Sequence, residues 1–220
     1  MAYDLEEQEQ LASLKAFWAQ YGNIISWIAI AGMASYAAYN YWNFHQRDQA
    51  GQASALYEQL QKEIAGKDKD SAKIMRIASD IEGNYGRTAY AQMSALTAAK
   101  AAFDKSDLKT AKAQLQWAID NGNDEYKSIA KLRLSGVLLD EKAYDDGLKL
   151  LAGEFMPQFA SEVAERKGDI LVAQNKVPEA RVAYQAALDA ADKSSPGRQI
   201  IQLKLDAIGG ASTPAPKAAA

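Results

Sequence analysis

The stretch SEVAERKGDILVAQNKVPEARVAYQAALDAA, residues 161–191, decides the fold. It reads as two helices, Ser161–Gln174 and Pro178–Ala191, with Pro178 at a helix start, where a missing N–H costs nothing. Gly168 and Leu171 on the first helix, and Ala180, Tyr184 and Ala187 on the second, place small residues where paired helices cross and a large ring beside them. The pattern recurs. Thirty-three positions back stand Ser135, Leu138, Gly147 and Leu151, and 36 further back stand Ala99, Ala102, Ala111, Leu115 and Ala118. The corresponding helix pairs are Asp124–Glu141 with Tyr144–Leu151, and Thr88–Asp104 with Leu108–Asp120.

A period of about 34 residues built from two helices resembles the tetratricopeptide repeat. Upstream, Gln52–Ile64 and Ser71–Ile81 read as a further, degenerate pair. Downstream, Ser195 is a candidate N-cap for a last helix that opens with Pro196, carries Ile200, Leu203, Leu205 and Ile208, and stops at Gly209 and Gly210. Such a helix caps the stack by covering the last repeat's open face. Residues 210–220, with Pro214 and Pro216, are expected to be a disordered tail. Composition agrees with an all-α chain: 43 of the 220 residues are alanine, the best helix former.

Charge is distributed unevenly. The 31 residues from 16 to 46 carry no formal charge, His45 being neutral. The centre of this run, Ile24 to Ala38, is apolar, and extended to Trp42 it spans about 28 Å as a helix, close to the hydrocarbon thickness of a bilayer. Aromatic rings flank it, with Trp18 and Tyr21 before and Tyr39, Tyr41 and Trp42 after, as at membrane interfaces. The sequence therefore predicts a short tail (residues 1–20), one transmembrane helix (21–43), a repeat domain (44–209) and the terminal tail. The acidic leading segment, with Asp4, Glu6, Glu7 and Glu9, favours an uncleaved signal-anchor over a cleaved signal peptide. Lys15 and Arg47 balance across the span, so the long C-terminal side decides the orientation: N-terminus in the cytoplasm, repeat domain exported.

Beside these features, the sequence resembles the YfgM-like family of bacterial inner-membrane proteins, ancillary subunits of the Sec translocon. The resemblance rests on the order of tail, span and repeats, and on local matches. These are Phe17; Tyr41, Trp42 and Asn43 leading to His45 and Gln46; Ala53, Ser54 and Tyr57; and Tyr85 with Gly86. Further on come Leu132, Arg133 and Leu134, then Gly168, Asp169, Ala180 and Arg181. The cluster after the span is the most specific part, since nothing in a repeat fold requires it. The tail after Gly210 departs from the pattern. The resemblance implies a non-enzymatic scaffold or adaptor in the inner membrane, with its repeat domain in the periplasm. Its implied partners are the Sec translocon, a membrane-anchored chaperone of prolyl-isomerase type, and unfolded exported chains. A membrane-anchored assembly protein for another envelope complex, binding one folded partner, is the alternative. Only the architecture carries over, because the family offers no compact functional motif.

The residues themselves point away from catalysis and cofactors. There is no cysteine and only one histidine, which removes thiolate chemistry, zinc clusters and most triads. Asp140 with Glu141, and Asp145 with Asp146, flank a turn without the ligand spacing of a calcium loop. A net charge of −3 gives no reason to expect nucleic acid. Function is expected instead on the concave face lined by the first helix of each pair. In repeat register this face receives Met93, Leu96, Lys100 and Phe103, then Ile129, Leu132, Leu139 and Asp140, then Glu162, Glu165, Asp169 and Val172. That is an apolar floor with an acidic far end. The lipid bilayer is the remaining expected partner, anchored through the five rings named above.

Overall fold

The computed structural model describes residues 2–66 and 70–210, and every regular element among them is helical. Nine α-helices follow in order: α1 (Ala2–Ala65), α2 (Ser71–Tyr85), α3 (Ala89–Asp104), α4 (Leu108–Asn121) and α5 (Asp124–Asp140), then α6 (Tyr144–Leu151), α7 (Ala160–Ala173), α8 (Val177–Ala190) and α9 (Pro196–Ala207). A single 3-10 turn, Pro157–Phe159, leads into α7. The expected tail beyond residue 210 lies outside the described residues.

The chain divides into two units, residues 1–51 and 52–220. The first unit holds the leading part of α1, whose last residues belong to the second unit, where Ala53 packs with Ile81 and Ala91. Its large apolar side chains from Leu11 to Phe44 are exposed, including all five rings expected at a membrane interface. The hydroxyl of Ser35 donates to the carbonyl oxygen of Ala31 at 2.8 Å, so it needs no partner outside its own helix. None of the helices among the described residues is long and apolar enough to cross a membrane. Asn23, Asn40 and Asn43 bound the apolar centre of the uncharged run and, with the tyrosines, lower the hydropathy of the run around it.

The second unit is a stack of helix pairs, and its backbone reports the repeat directly. Among the described residues, Ser106, Lys142 and Asn175 are the non-glycine ones with left-handed φ, at 60–61°. They are separated by 36 and 33 positions, the intervals already seen in the side-chain pattern. Each closes the first helix of a pair in the same way. The N–H of the next residue reaches back to a carbonyl five positions earlier: Asp107 to Ala102 at 2.9 Å, Ala143 to Leu138 at 2.8 Å, and Lys176 to Leu171 at 2.9 Å. This satisfies carbonyls that a helix end otherwise orphans and turns the chain back on itself. Two of the second helices then start on side-chain or proline signals, Asp107 accepting from the N–H of Thr110 at 3.1 Å before α4 and α8 carrying its proline in the first turn, whereas α6 has neither. Ser195 does stand at the N-cap of α9, but its side chain makes no capping bond; Pro196 sets that helix start instead.

The crossings are as tight as the small residues imply. Ala99, Ala111, Ala118, Ser135, Ala180 and Ala187 are all buried. At α7 and α8, a Cβ built on Gly168 would lie 2.5 Å from the ring of Tyr184. The central core joins Leu96, Leu115, Leu134 and Val137 with the alanine seams of α3, α4 and α5. A second cluster gathers Leu151, Val163 and Ile170, and a third packs Tyr184 and Leu188 under Ile201 and Leu205 of α9. The last cluster is the cap: α9 covers the open end of the final pair.

One buried group resists this order. Oε1 of Glu82 on α2 and Oε1 of Gln114 on α4 are both buried without a hydrogen-bond partner. Burial pushes the Glu82 carboxyl up to about 7, against a hydrogen bond with Gln114 that favours the ionised form. The folded state therefore holds a proton that the unfolded chain has released above its ordinary value near 4.5. Stability should fall as pH rises through that window and stay low above it. Glu82→Gln should flatten this slope and melt higher than the parent at pH 8; thermal melts across pH 5–8 check both.

A second expectation isolates the crossing. Alanine is about 1 kcal/mol better than glycine inside a helix, so Gly83→Ala, where an added Cβ meets nothing within 4 Å, should be neutral or stabilising. Gly168→Ala gains the same propensity yet drives its Cβ into the Tyr184 ring, and should cost about 1–3 kcal/mol. Urea titration of the two variants reads the difference.

Candidate functional site

The inward-facing first helices bring three clefts together. A hollow of about 460 Å³ lies between α3 and α5, and an adjoining one of about 510 Å³ lies between the end of α1, α2 and α3. A smaller one of about 220 Å³ continues between α5 and α7. Arg133 borders all three. It is exposed on α5, and its Nη1 donates to the carbonyl oxygen of Leu96 at 3.2 Å, which ties its guanidinium to the edge of α3.

The expected groove residues divide into four groups. Lys100, Phe103 and Asp140 line the first hollow together, and Phe103 is 38% exposed. Leu96 touches the second, but its side chain is 6% exposed and belongs to the central core. Leu132, Glu162, Glu165 and Asp169 border the third, with Leu132 also packed against the Leu151 and Ile170 cluster. Met93, Ile129, Leu139 and Val172 line none of these hollows; Ile129 and Leu139 are half-buried against core clusters, while Val172 is exposed at the end of α7. The concave face is thus less apolar than its sequence register implies. Leucines at these positions turn inward to seal the seams between helices, and long charged side chains cover them.

The acidic far end is also changed by a residue from another element. Lys204 of α9 donates to Glu165 at 2.6 Å and to Asp169 at 2.8 Å. Asp169 further accepts from the Tyr184 hydroxyl at 2.8 Å, and Nη1 of Arg166 stands 3.7 Å from its other oxygen. Burial works against the charge of Lys204, but the hydrogen bonds it donates to these two carboxylates, with their negative charge, outweigh it and hold its ammonium above the ordinary lysine range. Burial, then the hydrogen bond to Asp169, raises the Tyr184 hydroxyl well above its usual value, so it stays a donor. These carboxylates are fully engaged in fastening the cap to the last repeat.

Arg133 and Arg166 are the members of the site that the sequence register leaves out. The signal exists: they stand 33 apart, each two residues before the small crossing residue, Ser135 and Gly168. Among the described residues, no group of three or more histidine, cysteine or acidic side chains is placed to hold a metal ion.

Helix pairs in a fixed register, an inward face of first helices and a terminal cap define a tetratricopeptide repeat-like protein. The family model described as a tetratricopeptide repeat-like domain matches residues 15–210. A Neisseria gonorrhoeae protein named ancillary SecYEG translocon subunit is 31% identical over 209 residues, 94% of this chain and 100% of that protein. Proteins of the same name from Haemophilus influenzae and Escherichia coli are 31% and 29% identical, over 94% and 91% of this chain and 99% and 95% of theirs. No solved structure matches. The chain belongs to the YfgM-like family, as the resemblance implied.

The cap contact gives a direct expectation. Lys204→Met leaves Glu165 and Asp169 facing each other without their cation and should cost about 1–3 kcal/mol. Lys100→Met removes only an exposed i,i+4 pair with Asp104 and should change stability by less than about 0.5 kcal/mol. Chemical denaturation of both variants provides the comparison.

Proposed function

We propose that this protein is a membrane-anchored adaptor of the Sec translocon, non-catalytic, presenting its repeat domain on the periplasmic side of the bacterial inner membrane. One observation carries the reading: three proteins named as ancillary SecYEG translocon subunits match this chain across nearly its whole length and theirs. A match of that extent includes the N-terminal unit as well as the repeats.

The uncharged run of residues 16–46 supports an anchor. Its apolar side chains are exposed along α1, and Trp18, Tyr21, Tyr39, Tyr41 and Trp42 stand at the two ends of the apolar centre. Its mean hydropathy is modest because rings, small residues and amides replace leucines, and rings are favourable at the headgroup level. Residues 21–43 span the bilayer once in this reading, with the N-terminus cytoplasmic. Holding the repeats at the membrane raises their effective concentration beside emerging chains. The partners are the translocon, a membrane-anchored chaperone of prolyl-isomerase type and unfolded exported segments, the last two meeting the inward face of the repeats.

The full-length chain should stay in membranes through alkaline carbonate washing, and SecYEG should be recovered with it after mild detergent extraction. Protease added outside spheroplasts should reach the part after Asp48 once the domain is destabilised by Gly168→Ala. Release by carbonate, recovery without SecYEG, or complete protection of that part would each remove the corresponding element of the proposal.

A further inference from the structure

We infer that the outer face of α9 is a contact between two copies of this chain, which meet there as an antiparallel helix pair about a two-fold axis. The end of a helical stack is ordinarily closed by a polar outer face. In α9 the polar groups stand on the flanks instead. Ile201 and Leu205 point inward onto Tyr184 and Leu188. On one flank Lys204 is held by Glu165 and Asp169. On the other, Arg198 donates to the carbonyl oxygen of Leu188, and Asp206 accepts from Gln202 at 2.9 Å. Between the flanks, the side turned away from the domain consists of Pro196, Gln199, Ile200, Leu203 and Ala207, each exposed and none charged. Ile200 is 54% exposed and Leu203 68%.

The spacing of these residues selects the occupant. Pro196, Ile200, Leu203 and Ala207 stand four, three and four positions apart, the seam by which one helix receives another. That order reads the same in both directions. An antiparallel second copy therefore sets Ile200 against the partner's Leu203 twice, and Pro196 against the partner's Ala207 at each end. This direction also places the positive N-terminal end of each helix beside the negative C-terminal end of the other. A two-fold contact brings like residues near one another, so a charge beside the axis would meet its own kind. The outer face of α9 carries none, because its neighbouring charges are turned to the flanks. The 12 residues of α9 make a strip about 18 Å long. One helix width along that strip falls well short of the roughly 800 Å² per partner of a stable complex. The pair is therefore weak and reversible, filled at high local concentration and open in dilute solution.

The chain has no cysteine, so introduced thiols report the contact directly. Full-length protein carrying Ile200→Cys is mixed in detergent, at high concentration, with an affinity-tagged preparation carrying Leu203→Cys, and mildly oxidised. The mixed disulfide should form about fivefold more than the disulfide of either variant with itself, since its two sulfurs fall in one layer of the antiparallel pair. Val182→Cys, similarly exposed on α8 at 71%, should cross-link no better than random collision allows. In sedimentation velocity the parent should shift towards dimer as concentration rises. Leu203→Glu should weaken that association about tenfold or more, because it puts a charge into the seam, with the melting temperature unchanged at so exposed a position. Association that survives Leu203→Glu arises on another surface, α1 included, and overturns the inference. So does a monomer at every concentration, which leaves the face to a different protein. Stronger cross-linking of Leu203→Cys to itself than to Ile200→Cys, the result of a parallel pair, overturns it as well. None of these readings depends on recovery of SecYEG, which tests the adaptor function separately.

Discussion

The repeat domain depends on how closely two helices of a pair can approach. At α7 and α8 that distance is set by Gly168 under the Tyr184 ring, with Ala180 and Ala187 buried on the same seam. Interiors are packed at crystal-like density, so a side chain at such a crossing has no slack to use. The same limit operates at Ser135 with Gly147, and at Ala99 with Ala111. Once the crossing distance is fixed, the turn between the helices has little freedom, and Ser106, Lys142 and Asn175 are all held in the left-handed region despite their side chains. Left-handed φ disfavours such residues by about 1–2 kcal/mol. Its repetition at the same register shows that the packing of the pair, rather than local preference, dictates the turn.

This explains why the architecture is legible from residues alone. Small side chains at crossings, prolines in first helical turns and a glycine stop after Ile208 are local signals with one physical meaning each, and they recur in register. From α3 to α8 the helix limits follow to within a residue or two, whereas the expected Ser71–Ile81 runs on to Tyr85 and the expected Gln52–Ile64 is the end of the continuous α1. The inward face is harder to read, because a leucine at a first-helix position satisfies the pattern whether it points into the groove or into the seam beside it. Leu96 went to the core and Phe103 to the surface, although they stand about two turns apart on the same face of one helix. Which one is buried depends on α5 lying across α3, a fact of tertiary packing that periodicity in one helix does not contain. Lys204 is less legible still, since it approaches Asp169 from 35 positions away and from the cap.

The charges of the domain therefore have two different uses that sequence counts merge. Glu165 and Asp169 look available in the sequence, yet they tie α7 to α9 through Lys204, and Asp169 ties α7 to α8 through Tyr184. Part-buried carboxylates with a cation and a hydroxyl donor in place are poor ligands for anything else, because a newcomer must first displace well-formed bonds. Arg133 looks incidental in the sequence, one polar residue between Leu132 and Leu134. The structure gives it a neutral anchor and an open side.

That asymmetry bears on how an adaptor can bind many chains and still release them. A groove sealed by leucines and floored by small residues offers limited apolar area, so it does not hold an unfolded segment by burial alone, which scales with area at about 25 cal/mol per Å². Exposed charge pairs contribute modestly and are screened by salt, but they act at longer range than apolar contact and speed encounter. A repeat surface of this composition favours rapid, reversible engagement over tight capture. Under the function proposed above, holding the groove at the membrane would supply what affinity does not: chains sampled there would be re-engaged faster than they diffuse away.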